Sequence, residues 1–507
     1  MGTIRGARRV MAVAGGIAVA WGTVATSAGD SGSGPAAESF TTRTPIKHLV
    51  VLFQENVSFD HYFATYPVAT NPPGEPRFRA AAGTPTVNGL PPSLQAPNNP
   101  NAGQPFRLDR MQAHTCDQDH YYADQQRAAN GGLMNRFVES TGQSDASCPD
   151  YGHGDGLVMG YYDGNTVTAL WNYAQSFAMS DNHYATEYGP STVGALNLIS
   201  GQTHGASPDS EGRTTEVSAL GTIVGDPQPA GDRCDFRDTS SMSPRNRNVG
   251  DLLDAKRITW GWFEGGFRDC RAAHTSLGGV TSRDYIPHHA AFQYYRSTAN
   301  PLHLPPSSTA TIGRTDRANH QYDLEDFWTA VDQDRIPAVS FLKAPAYQDG
   351  HAGYSGPLDE QRYLVDTINR LQRSPAWSSM AIVVAYDDSD GWYDHQYGPL
   401  VNQSADPVHD VACGDGKSAL GGYQGRCGYG VRLPLLVISP FARGNFVDHT
   451  VTDQSSILRF VEDNWHLPRL GDGSFDAIAG PLDGLFDFHG PRRPPLFLDP
   501  VLGIVTS

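Results

Sequence analysis

The chain has 507 residues, with 54 acidic against 37 basic side chains and a net charge of −17. That balance excludes nucleic acid as the main partner, because phosphate backbones are held with Lys and Arg. It also obliges any anionic substrate to find a strong local source of positive charge, and the length allows one large domain or several smaller ones.

At the start, Arg5, Arg8 and Arg9 precede an apolar stretch from Val10 to Ala25, and Thr26, Ser27 and Ala28 suit a cleavage site. The pattern predicts a signal peptide over residues 1–28 and a secreted or periplasmic product, since the apolar part is short and broken by glycine. Arg8-Arg9 leaves Sec and twin-arginine export both open. Residues 29–45, small and polar, read as a flexible lead-in. No later segment approaches the roughly 20 apolar residues that span a bilayer, so no transmembrane segment is expected. Cys116, Cys148, Cys234, Cys270, Cys413 and Cys427 all fall in the exported part. An even number in an oxidising compartment predicts three disulfides. Fifteen connectivities are possible, and neighbour pairing, which pins one loop per pair, is the expectation.

Ile46–Phe53 is an apolar run of the kind found in strands buried on both faces. It is followed at once by Glu55, Asn56, Ser58 and Asp60. Between Pro67 and Pro105 stand ten prolines, which predicts an irregular surface insertion over about 67–107 near the site. Residues 117–140 read as helical, interrupted at Gly131-Gly132, and residues 166–179 as a helix with Val167, Leu170, Trp171, Ala174 and Ala178 on one face. A Gly189-Pro190 turn then delivers Ser191 to a helix start. Further on, helices are expected over 249–255, 358–371 and 455–465, and strands over 258–263, 338–342 and 433–439. The other buried strand, Ala381 to Ala385, runs into Asp387, Asp388, Asp390, Asp394 and His395. Two adjacent carboxylates at the end of a buried strand are costly unless something positive holds them, and strand carboxyl ends are where open α/β sheets place ligands. The alternation predicts an α/β fold: a largely parallel central sheet with helices on both faces, in a single domain over 46–507.

Taken together, ENVSFDHYF at 55–63, DQDH at 117–120, GPS at 189–191, HH at 288–289, GH at 350–351 and YDDSDGWYDH at 386–395 resemble one family. It is the bacterial phosphoesterase family that joins secreted acid phosphatases with phosphatidylcholine-type phospholipases C, a branch of the alkaline-phosphatase superfamily. The resemblance runs from Ile46 to Trp465 and implies an alkaline-phosphatase-like fold. It implies one divalent metal ion on Glu55, Asn56, Asp387 and Asp388; oxygen ligands suit Mg, Ca or Mn, and nearby histidines leave Zn or Fe open. It also implies Ser191 as the nucleophile of a phosphoserine intermediate, with Thr192 as the neighbouring alternative. His120, His288, His289 and His351 would surround the phosphate and leaving group, and Asn130 would contact the phosphate. As imidazolium ions these histidines would bring positive charge mainly below neutrality, hence an acid optimum. His395 would stand behind the site, oriented by Asp394.

The expected function is a secreted acid phosphatase acting on small phosphomonoesters. The chain ends at Ser507, whereas larger phospholipases of the family carry additional C-terminal β-domains. The alternative is a phospholipase C acting on phosphatidylcholine-type diesters, with Tyr62, Trp392 and Tyr393 either caging a quaternary ammonium or simply packing. A third reading, from another class, is a non-catalytic exported protein that binds metal or phosphate. Ser191 speaks against it, since a binder has no use for an activated nucleophile.

Overall fold

The computed structural model describes residues 36–144, 148–149, 151–208 and 215–506; the expected signal peptide and the first part of the lead-in lie outside them. Nine strands form the central sheet: His48–Gln54 (β1), Ala178–Tyr184 (β2), Trp260–Glu264 (β3), Gln321–Asp323 (β4), Val339–Lys343 (β5), Met380–Tyr386 (β6), Arg432–Ile438 (β7), Phe446–Asp448 (β8) and Thr452–Asp453 (β9). Their order across the sheet is β4-β3-β5-β1-β6-β7-β2-β8, with β9 also on β2. All neighbours run parallel except β7, which is antiparallel to both β6 and β2. The sheet is therefore mixed, with a parallel majority, and seven-residue β1 and β6 at its centre are buried along their whole length. That burial explains their unbroken apolar sequences.

Two local details depart from the expected pattern. Ala178 and Met179 belong to strand β2, not to the end of a helix. The preceding helix stops at Ser176, and Phe177 breaks the helical backbone. β2 continues as SDNHY, too polar to advertise itself as a strand, yet it is buried between β7 and β8 with partners for most of its polar groups. Asp181 accepts from the Asn88 N–H at 2.6 Å, and His183 Nδ1 meets Thr452 Oγ1 at 3.0 Å. In β7 the register against β2 shifts between Leu433 and Leu435, where Pro434 has no N–H to give the ladder.

The longer helices are Tyr122–Ala129 (α1), Thr168–Ser176 (α2), Ser191–Ser200 (α3), Val249–Ala255 (α4), Leu324–Asp332 (α5), Pro357–Arg373 (α6) and Gln454–Asn464 (α7). α3 packs against α7, and α2 against α6. The DQDH segment precedes α1 rather than lying in it, and Asn130 ends α1 in a left-handed conformation (φ 45°). None of the helices among the described residues is long and apolar enough to cross a membrane.

The six cysteines form Cys116–Cys148, Cys234–Cys270 and Cys413–Cys427, the neighbour pairing expected from the sequence. Closed loops of this size stabilise by roughly 3–4 kcal/mol each in the chain-entropy model. Reductant is accordingly expected to lower the thermal midpoint measured by calorimetry. Six free thiols found by mass spectrometry in the native protein would contradict the pairing.

Candidate active site

The parallel register of β1 and β6 pairs Gln54 with Tyr386, so Glu55 and Asp387 leave the sheet side by side at its carboxyl edge. Cross-links hold the two exits together. The Asp387 N–H donates to Gln54 O at 3.2 Å and the Val57 N–H to Asp388 O at 2.9 Å. Asn56 turns in a left-handed conformation (φ 59°), which asparagine tolerates better than most residues. That turn puts its N–H on Asp387 Oδ1 at 3.0 Å.

Ser191 arrives from the far side of β7. β2 ends at Tyr184, and Gly189 takes a φ of 131° before Pro190. Ser191 is then the first residue of α3. This helix seats its first turn directly on the backbone of Asp387: a Cβ at Gly194 would overlap the Asp387 carbonyl oxygen. The close seat brings Ser191 Oγ to 3.2 Å from Glu55 Oε2, 3.2 Å from Asp388 Oδ2 and 3.5 Å from Asn56 Oδ1. Thr192 points elsewhere, its hydroxyl 3.3 Å from His288 O and 3.5 Å from the Tyr294 hydroxyl. Its backbone N–H donates to Asp226 Oδ1 at 2.9 Å, so that helix-terminal donor already has an anionic partner.

Glu55, Asn56, Asp387 and Asp388 thus converge on one point beside Ser191, all buried. The amide of Asn56 tests whether these residues fit a metal ion. As it stands, its Oδ1 faces only acceptors. Turned over, the nitrogen would donate to Glu55 Oε2 at 2.7 Å and Asp387 Oδ1 at 3.1 Å, and the oxygen would accept from His351 Nε2 at 3.1 Å. Acceptor oxygens this close need hydrogen or a cation among them, and the all-oxygen set suits a hard divalent ion. Two other donor groups lie nearby: Glu55 with His289 and Asp349, and Asp117 with His120, His351 and Asp390.

Lys343, the last residue of β5, is the functional residue that the motifs did not reveal. Fully buried, its Nζ contacts Glu55 Oε1 and stands 3.4 Å from Asp387 Oδ2. Burial works against its charge, but Glu55, Asp387 and Asp349 outweigh that and hold the ammonium above its usual range. Burial and the nearby Asp387 push the Glu55 carboxyl well up. Asp388 is pushed up to about 8, mainly by burial, with His120 opposing and Asp387 reinforcing the shift. Asp387 moves the other way: despite burial, Lys343 and hydrogen bonds to its carboxylate keep it low.

The histidines divide. Asp388, Asp117 and Asp390 overcome the burial of His120 and raise it well above its usual value. Its Nδ1 lies 2.8 Å from Gln118 O and 3.5 Å from Asp390 Oδ1. Burial lowers His288 to about 3, His289 well below its usual value, and His351 in the same direction. Burial thus works against the expected imidazolium charge on these three, and His120 alone of the four is shifted toward it. As to position, His289 Nδ1 is 3.3 Å from Glu55 Oε1, and His120, His288 and His351 line a cavity of about 400 Å³ that reaches Ser191. The same cavity is lined by Asp226, Arg237 and Tyr121, and its wall is chiefly polar.

Two other expectations are corrected, and the open choice between a cage and packing falls to packing. Asn130 does not line the cavity; its side chain donates to Asn135 Oδ1 at 2.9 Å, and it serves to end α1. Tyr62, Trp392 and Tyr393 form no cage. They are buried, Tyr62 on Glu360 (3.0 Å), Trp392 stacked on His61 (4.0 Å) and Tyr393 on Asn99 (3.0 Å). His395 is held by Asp60, at 2.7 Å, rather than by Asp394, which accepts from Arg432 at 3.2 Å.

A profile described as the Phosphoesterase family matches residues 46–468. The chain is 25% identical over 478 residues to phospholipase C A of Mycobacterium tuberculosis, covering 92% of this chain and 82% of that protein. It is 23% identical over 467 residues to the non-hemolytic phospholipase C of Pseudomonas aeruginosa, covering 89% of this chain and 58% of the other. Among solved structures, it is similar to a protein in the alkaline phosphatase superfamily from Vibrio parahaemolyticus. That match has 12% identity and a TM-score of 0.27, over 58% of this chain and 59% of that one.

The seat of α3 on Asp387 gives a direct test. Gly194→Ala is expected to destabilise by roughly 1–3 kcal/mol, the usual cost of overpacking. It should also lift Ser191 out of contact with Glu55 and Asp388. Thermal denaturation and a crystal structure of the variant check both.

Proposed function

The chain belongs to the Phosphoesterase family and is a phosphoric ester hydrolase; within that family we propose that it cleaves small phosphomonoesters, as an exported acid phosphatase does, through a phosphoserine formed on Ser191. The observation that carries this reading is the Ser191 hydroxyl, 3.2 Å from both Glu55 and Asp388 in a buried cluster of acceptor oxygens. A hydroxyl so placed can lose its proton toward a carboxylate as its oxygen attacks phosphorus. The ester P–O bond breaks, and the departing alkoxide takes a proton. His120, kept protonated by the acids around it, is the donor this chain offers. Water then attacks the phosphoserine, releases phosphate and restores the serine.

One divalent cation on Glu55, Asn56, Asp387 and Asp388 would lower the pKa of the hydroxyl and draw charge from a phosphoryl oxygen. Lys343 holds Glu55 and Asp387 in place from behind. Preference for a small monoester over a lipid diester is supported by the chiefly polar wall of the cavity, which offers acyl chains little apolar lining. Export is supported by the three disulfides. The residues from 46 onward would then act as one catalytic domain once the leader is removed.

Phospholipase C activity is the second reading, favoured by the names of the relatives. Rates on a phosphomonoester, a bis-ester and phosphatidylcholine, compared side by side, decide between them, and no turnover of any would leave the binding-protein reading. Ser191→Ala is expected to remove several orders of magnitude in rate while metal binding and folding persist. Thr192→Ala should stay active, and the reverse result would move the nucleophile to Thr192. Glu55→Ala and Asp387→Ala are expected to lower bound metal, measured by elemental analysis, together with rate. Excess metal should partly restore the weaker binder of the two.

A further inference from the structure

Arg237 enters the cavity from a segment that none of the family motifs covers. Its stem is fixed on both sides. Cys234 is bonded to Cys270, and the strand Thr239–Met242 pairs with Ala206–Pro208 and Gln228–Pro229. The guanidinium itself is exposed and lines the cavity with Ser191 and His288. One of its N–H groups donates to His288 Nδ1 at 2.8 Å. A guanidinium has five donors and no acceptor, so His288 Nδ1 must supply the lone pair and the ring proton must sit on Nε2. The ring thereby becomes a neutral hydrogen-bond donor.

The surrounding charge gives this pair its role. Asp117, Asp119 and Asp226 line the same cavity, and Arg237 is the one Lys or Arg among the described residues that does so. Lys343 is spent on Glu55 and Asp387, and the Thr192 N–H at the start of α3 is taken by Asp226. A phosphate monoester carries one more negative charge than a diester; His120, the other cation in the wall, is assigned to the leaving group, which leaves Arg237 to meet that charge.

We propose that Arg237 is the specificity-determining residue by which this site prefers a monoester dianion to a diester monoanion, its free N–H groups binding the phosphoryl oxygens beside Ser191 while its bond to His288 orients that ring as a second donor. The proposal rests on the phosphomonoesterase reading above.

The test compares wild type, Arg237→Ala and Arg237→Lys in the full chain. The kcat/KM values for phenyl phosphate and bis(p-nitrophenyl) phosphate are read beside calorimetric binding of inorganic phosphate and dimethyl phosphate. Arg237→Ala is expected to lower the monoester-to-diester ratio of kcat/KM by roughly 30-fold, the scale of a charged hydrogen bond. It should weaken inorganic phosphate far more than dimethyl phosphate. Arg237→Lys, which keeps the charge but not the fork, should recover part of both. An unchanged ratio, or equal loss for both esters, overturns the inference. Wild-type protein that cleaves neither ester overturns the phosphomonoesterase reading instead. The two binding affinities then decide on Arg237 alone: selective loss of inorganic phosphate upholds its role, and equal affinities in wild type and variant overturn it.

Discussion

The site depends on keeping several carboxylates together where water cannot reach them. Glu55, Asp387, Asp388 and Asp349 are each nearly or fully buried, and like charges in such surroundings repel strongly. Lys343 is the chain's own answer. It is delivered by β5, the strand on the other side of β1, so that a buried ammonium faces the two acids that leave β1 and β6. Three neighbouring parallel strands end at the same edge of the sheet, and their last or next residues are Lys343, Glu55 and Asp387. Removing one member of such a buried set typically costs about 3–5 kcal/mol, because the charge left behind has no partner.

A second buried cation secures the same two motifs further out. Arg432 opens β7 and donates to Asp60 Oδ1 at 3.0 Å and to Asp394 Oδ2 at 3.2 Å. Its guanidinium lies 4.2 Å from the Phe59 ring centroid. Asp60 lies in the β1 motif and Asp394 in the β6 motif, so one arginine ties the two excursions six and eight residues beyond the strands. Asp60 also takes the His395 ring, and the Asp60 N–H donates to Asp394 Oδ2 at 3.0 Å. This network touches neither Ser191 nor the cavity. Its effect is to hold the loops so that Asn56 and Asp388 keep their places without contributions from solvent.

What the sequence made legible follows from the kind of signal each element carries. β1 and β6 are continuous apolar runs, so their burial could be read directly, and acids placed just after them pointed to the sheet's carboxyl edge. The helices over 249–255 and 454–464 appear within one residue of their expected bounds. β2 was hidden because SDNHY takes its stability from partners far along the chain, Thr452 and His449 among them. Lys343 was hidden for a related reason. A single lysine after SFL looks like the solvated end of a strand, and only the neighbouring strands show what it faces. Asn130 was misplaced by resemblance where local chemistry, an asparagine before Gly131-Gly132, already spoke for a helix end. Arg237 carried no signal, since its value lies in the His288 ring it meets 51 positions later.

The protonation states complete the physical picture of how so acidic a chain can receive an anion. Histidines packed beside Lys343 and one another lose charge, because burial and neighbouring cations both disfavour an imidazolium. His120 keeps its charge because it looks toward Asp388, Asp390 and Asp117 instead. The fixed positive groups are therefore set in a line of decreasing burial, Lys343 within the carboxylate cluster, His120 in the wall and Arg237 at the exposed end. An ion entering the cavity meets solvent-exposed positive charge first and the desolvated part last. The field inside is strongest where the dielectric is lowest, which is also where Ser191 Oγ stands.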